Sequence, residues 1–81
     1  MKLSQVLKDV KVKNEYKEVE VKDITADSRQ VDEGYLFVCI KGASFDGHSV
    51  AEEMLKKGAA AVVCDHDLGL ENQVIVDDTR K

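Results

Sequence analysis

No apolar run in this 81-residue chain approaches the roughly 20 residues that a membrane-spanning helix needs. The opening MKLSQVLKDV carries Lys8 and Asp9, so it lacks the unbroken apolar core of a signal peptide. No membrane partner is expected, and the cytoplasm is the expected compartment. An excess of basic charge is missing too. The net charge is −4, and lysines are interleaved with acids in KVKNEYKEVEVKD. Phosphate neutralisation needs a basic face, so no nucleic-acid partner is expected. Proline is absent, no segment repeats, and none is of low complexity. There are two cysteines, Cys39 and Cys64, each inside an apolar run. They read as small buried residues in a reducing compartment. Cys64 and His66 would share a face if their strand continued through CDHD. Two ligands without a partner pair elsewhere fall short of a zinc pattern, so no metal is expected.

What is present fits one small globular domain. Hydrophobic residues make up 43% and charged residues 35%. A chain of this length buries only about 60–65% of its unfolded surface, so the core is thin. Leu3, Val6, Leu7 and Val10 have helical spacing, with Ser4 available as N-cap. YKEVEVK alternates, which is strand-like. Ile24 and Thr25 suit a short strand, and ADSRQVDEG supplies turn chemistry. YLFVCI and AAAVVC are continuous apolar runs, the mark of strands buried on both faces of a parallel sheet. Between them, Val50, Ala51, Met54 and Leu55 form one helical stripe, predicting a helix over 49–57. Asp46 or Ser49 is the expected cap, Ser49 and Glu52 have capping-box spacing, and Gly58 suits the C-terminal end. DHDLGLEN reads as a polar loop and QVIV as a last strand. The fold class expected is α/β, with a parallel strand–helix–strand core and a right-handed crossover. The closing VDDTRK reads as a helix start with Asp77 as cap and no helix body after it. The chain is therefore expected to be the first part of something longer.

Three stretches carry candidate chemistry. Gly42 to Ser49 reads G-x-x-x-x-G-H-S, one residue away from the phosphate-binding G-x-x-x-x-G-K-[ST]. His48 stands at the lysine position and supplies no fixed charge near pH 7. Asp46 would repel phosphates. A triphosphate site is therefore rejected, although backbone N–H groups before a helix still suit a diphosphate. The plainer reading is an ordinary strand–helix loop. In ADSR, Ser28 offers a hydroxyl and Arg29 a planar fork for a phosphate or carboxylate. The plainer reading is an Asx turn held by Asp27 with Arg29 in solvent, and turn chemistry alone favours it. Neither cysteine has an activating partner. His48 has Asp46 beside it, and His66 has Asp65 and Asp67, but no hydroxyl is tied to either ring. No complete catalytic set is visible.

The order of these pieces resembles one family. A D-S-R turn, a G-x-L-F-V strand, a K-G loop, D-G-H before a helix and then G-A-x-A-V-V run from Ile24 onward, with VIVDDTRK at the end. Together they resemble the N-terminal domain of the Mur ligases, which add amino acids to UDP-N-acetylmuramic acid in peptidoglycan synthesis. The first 23 residues match more loosely. The resemblance implies that residues 1–81 are a single UDP-substrate-binding domain of a three-domain, ATP-dependent acid–amino-acid ligase. ATP and magnesium would be held by a central domain outside these residues, so this chain alone would not be catalytic. Carried over by position, the UDP contacts fall on Ala26, Ser28, Ala43, Ser44 and Phe45, with no catalytic residue here. Ala43 replaces a position often polar or basic in the family, so backbone would have to suffice there. Asp27, Arg29, Asp46 and Gly47 would shape the two loops. FVCIKG and DDTRK point to the branch that adds a diamino acid, meso-diaminopimelate or L-lysine, to UDP-N-acetylmuramoyl-L-alanyl-D-glutamate. FDGHS leans towards the branch that adds D-alanyl-D-alanine. The implied partner is thus a small molecule, and a monomer is expected. A free-standing nucleotide-sugar-binding module is the other reading.

Overall fold

The two continuous apolar runs become neighbouring parallel strands at the centre of a four-stranded sheet. The structure is a computed structural model, and it describes residues 1–40, 47–70 and 72–77. The strands are β1 (Asp23–Thr25), β2 (Tyr35–Val38), β3 (Ala61–Cys64) and β4 (Gln73–Ile75). They lie side by side in chain order and every pair is parallel. Leu36 pairs with Ala61 and Phe37 with Val62, so the register fixes which residues share a face.

That register sorts the core into two layers, because successive strand residues point to opposite faces. Leu36, Ala61, Val63 and Val74 pack on one side with Leu3, Leu7 and Val21. Phe37, Val62 and Cys64 pack on the other with Val31, Ala51 and Met54. Phe37, Leu36, Val62 and Val74 are fully buried. Each such side chain contributes about 1.5–3 kcal/mol. An exposed ion pair such as Lys13–Asp77 or Glu52–Lys56 contributes about 0–1 kcal/mol, so apolar burial decides the fold.

The helical stripe is observed in α2 (Ala51–Lys57), where Ala51 and Met54 are buried and Glu52, Glu53, Lys56 and Lys57 are exposed. A 3₁₀ turn over Gly47–Val50 leads into it. The N-cap position is therefore Val50, with no side-chain cap, and the expected capping by Ser49 is not made. The other expected cap, Asp46, lies outside the described residues. Gly58 ends α2 at φ 119°, and its N–H donates to the Leu55 carbonyl. A Cβ there would also meet the Glu33 Cα at 3.0 Å. Glycine is required on both counts.

Near the N-terminus the expected short helix is present, but its cap and the pairing of YKEVEVK differ from expectation. The first helix, α1, is only Leu3–Val6, and Ser4 does not cap it. Its N–H donates instead to Glu18 Oε1 at 2.9 Å, while the Lys2 N–H is taken by Gln5 Oε1. YKEVEVK does not join the sheet. Its backbone pairs with the chain start, through Leu3 N–H to the Val19 carbonyl and Val21 N–H to the Met1 carbonyl. The alternation nevertheless gave the right sidedness: Val21 is buried, Val19 half-buried, and Glu18 and Glu20 are exposed. DHDLGLEN is less polar than it reads, since Leu68 and Leu70 pack against the α2-side core. The expected helix start at 78–81 lies outside the described residues; Asp77 pairs with Lys13 at 2.7 Å. Among the described residues no helix is long and apolar enough to cross a membrane.

Candidate functional site

All four strands point the same way, so their carboxyl ends form one edge. Three connections leave that edge: residues 26–34 after β1, the segment after β2, and residues 65–72 after β3. In open parallel sheets ligands sit beyond this edge. A cleft of about 660 Å³ opens there, lined by Thr25, Ala26, Asp27, Ser28 and Arg29.

The turn after β1 is held by its own side chains. Thr25 Oγ1 accepts the Asp27 N–H at 3.0 Å. Asp27 Oδ1 accepts the Arg29 N–H at 2.9 Å, and its carbonyl accepts the Gln30 N–H at 3.0 Å. Arg29 Nε and its terminal nitrogen return to the same carboxylate, each at 3.2 Å. Those contacts hold Asp27 below the usual carboxylate range, the Arg29 side chain first and its backbone N–H second. The Asx turn expected from sequence is therefore present. The Arg29 fork is spent within the turn, although its side chain is 88% exposed. Ser28 sits half-buried at the crest. Its carbonyl accepts from Lys57 Nζ at 3.2 Å, across from the last turn of α2. Sequence spacing gave no sign of Lys57; only the docking of α2 against the sheet brings it there.

Ala26 and Ser28 thus both line the cleft. Ala43, Ser44 and Phe45 lie outside the described residues, as do Gly42 and Asp46. The described chain enters that segment from Ile40 beyond β2, next to β1, and leaves it at Gly47.

His48 does not stand where a lysine would meet phosphates. Its side chain is only 5% exposed, and Nε2 lies 3.1 Å from Asp65 Oδ1. The Asp65 N–H also donates to Nε2 at 3.2 Å. His66 Nδ1 sits 2.6 Å from the same Asp65 oxygen, and the two rings stack with centroids 4.8 Å apart. The His66 contact leads in holding Asp65 below its ordinary range. With the imidazole turned onto β3, these residues do not fit a triphosphate with magnesium. Sequence reading placed acids beside each histidine but not the two histidines together. The signal lay in topology: both follow the carboxyl ends of adjacent parallel strands.

Cys64 and His66 do not converge as a ligand pair. Cys64 is fully buried, its Sγ donates to the Val74 carbonyl at 3.4 Å, and burial pushes its thiol up to about 11. Cys39 is also buried and reduced.

A small, four-stranded parallel sheet with one helix against it and its turns gathered at the carboxyl edge defines an open-sheet α/β domain. Residues 20–80 match the family described as "Mur ligase family, catalytic domain", and the chain belongs to the Mur ligase family. It is 43% identical over 79 residues to the UDP-N-acetylmuramoyl-L-alanyl-D-glutamate–2,6-diaminopimelate ligase of Bacillus licheniformis, covering 94% of this chain and 16% of that protein. The Aquifex aeolicus ligase of the same name is 48% identical over 62 residues, covering 75% and 13%. Among solved structures, a MurF of Acinetobacter baumannii superposes with a TM-score of 0.72 at 26% identity, covering 94% of this chain and 17% of that one. The MurF ligase of Thermotoga maritima in complex with ADP gives 0.67 at 30% identity, covering 73% and 14%. The chain thus spans about a sixth of the relatives it matches.

Proposed function

We propose that this chain is the N-terminal, substrate-holding domain of an ATP-dependent ligase that joins 2,6-diaminopimelate to UDP-N-acetylmuramoyl-L-alanyl-D-glutamate. The observation that carries this reading is the carboxyl edge. The Asp27–Arg29 turn and the segment that follows Ile40 leave adjacent parallel strands together, and the turn is closed by its own groups with Ser28 at the cleft. In this reading Ala26 and Ser28 contact the uridine diphosphate, together with Ala43, Ser44 and Phe45. Ser28 supplies a hydroxyl; residues 43–45 act mainly through backbone groups.

The family description calls the matched region catalytic. We assign the chemistry elsewhere in the enzyme, because neither cysteine is placed as a nucleophile and His48 is committed to Asp65. ATP and magnesium, which supply carboxylate activation, belong in this reading to a central domain outside these residues. The D-alanyl-D-alanine-adding branch shares the fold, yet the matched solved structures of that branch are 26% and 30% identical, against 34% to 48% for the matched diaminopimelate ligases. That gap favours the diamino-acid branch.

Titration of the isotope-labelled protein with UDP tests the reading. Amide signals of Ala26 to Ser28 and of Ala43 to Phe45 are expected to move. Ser28→Ala removes one hydrogen bond and weakens binding about three- to tenfold. No shift at either segment at millimolar UDP overturns the assignment.

A further inference from the structure

We propose that His48, Asp65 and His66 form a binding site for a divalent transition-metal ion of the zinc class at the carboxyl end of β3. The chain has only two histidines, and the fold brings both to one aspartate although His48 and Asp65 are 17 residues apart. One ligand atom from each of the three lies within 4.8 Å of the others. Asp65 Oδ1 is already the meeting point, 3.1 Å from His48 Nε2 and 2.6 Å from His66 Nδ1. Ligands around a zinc ion at about 2.0–2.1 Å stand a little over 3 Å from one another, so small side-chain rotations suffice.

The burial gradient suits a site that is fixed at its base and open at its mouth. His48 is 5% exposed and held in the 3₁₀ turn, Asp65 is 38% exposed and His66 59%. On binding, His48 Nε2 exchanges a long, 3.2 Å bond from the Asp65 N–H for the ion, which is a small loss. Two imidazoles and one carboxylate select zinc, cobalt or nickel, whereas magnesium and calcium prefer oxygen donors. Three protein ligands leave a fourth position for water or for an oxygen of a bound molecule. The proposed contacts at Ala26 and Ser28 follow β1, which is separated from β3 by β2. The metal site also differs in kind from the magnesium that accompanies ATP.

Sequence spacing gave no such set, because CDHD offers one histidine and its Cys64 turns into the core. The test is a zinc titration of the purified protein in competition with a chromophoric chelator, repeated with cobalt to read its visible bands. One ion per chain is expected, with ring signals of both histidines shifting and no displacement by excess magnesium. His66→Gln changes an exposed ring and leaves the fold intact, and Asp65→Asn is the second variant. Each is expected to weaken zinc at least about tenfold, the scale set by losing a group that supports a metal site. Absence of zinc binding up to millimolar concentration overturns the proposal, as does an affinity that neither variant changes. UDP-induced shifts at Ser28 read the other site, so either proposal can fail without the other.

Discussion

Two clusters sit on the same sheet edge and are built on opposite plans. The turn after β1 closes within residues 25–30: Thr25, Asp27, Arg29 and Gln30 bond one another, and the Arg29 side chain is almost wholly in solvent. The cluster after β3 closes over a long stretch of chain, with a buried His48 reaching Asp65 and His66. A local turn needs only its own sequence to form. A long-range cluster forms only when the sheet has formed, and then it ties the sheet to the segment entering α2. The first can therefore be edited with little harm to the fold, whereas the buried His48 of the second cannot.

The largest expected effect follows directly. His48→Ala removes a buried ring and its Asp65 contacts, at a cost of about 2–3 kcal/mol. For a domain of this size that lowers Tm by roughly 10–20 °C. Arg29→Ala is expected to leave Tm nearly unchanged, since exposed ion pairs contribute little. Thermal unfolding of the two variants side by side is the measurement. A similar loss in both would erase the contrast between a local turn and a fold-spanning cluster.

The same contrast explains what could be read from the sequence. YLFVCI and AAAVVC gave the parallel core because residues buried on both faces leave few other arrangements. Leu36 and Phe37 facing opposite layers is the outcome that this pattern requires. YKEVEVK gave sidedness but not its partner: alternation says which way Val19 and Val21 point, not whether their backbone groups pair with β1 or with Met1 and Leu3. ADSR was legible because an Asx turn is fixed by neighbours in the chain. The assignment of residues 43–45 rested on family resemblance alone. Lys57 and the histidine pair were hidden, since strand order and helix docking had to be known before either contact could be seen.

Among the described residues Lys57 tethers the local turn to α2, and its removal sharpens the comparison. Its ammonium donates to the Ser28 carbonyl at 3.2 Å from the end of α2. Lys57→Met keeps the stem and removes the donor. Tm is expected to hold, while backbone relaxation at Ser28 and Arg29 shows a looser turn. UDP affinity is expected to fall about two- to fivefold, the size of one modest hydrogen bond. A Tm loss comparable to that of His48→Ala would mean that the turn is part of the fold's support. An unchanged Ser28 amide would mean that the tether has no effect on the site.

The smallest effect is the acid limit of the turn. Asp27 is held below its ordinary value of 3.8 by the Arg29 side chain and then by the Arg29 N–H. A depressed folded value means that the carboxylate form is favoured in the folded turn. The stabilisation is fully present above the unfolded value and is lost as pH falls through the lower folded one. The turn therefore survives acidification from neutrality to about pH 4 and loosens only below that. A carbon-detected titration of the Asp27 carboxyl should give a midpoint under 3.8, with the Arg29 amide moving in step. Arg29→Gln takes away the leading cause while keeping the backbone donor, so the midpoint should rise part of the way back. A midpoint at or above 3.8 in the unmodified protein would show that the Asp27–Arg29 fork is not populated in solution. The turn would then need Lys57, and not its own acid, to hold Ser28 at the cleft.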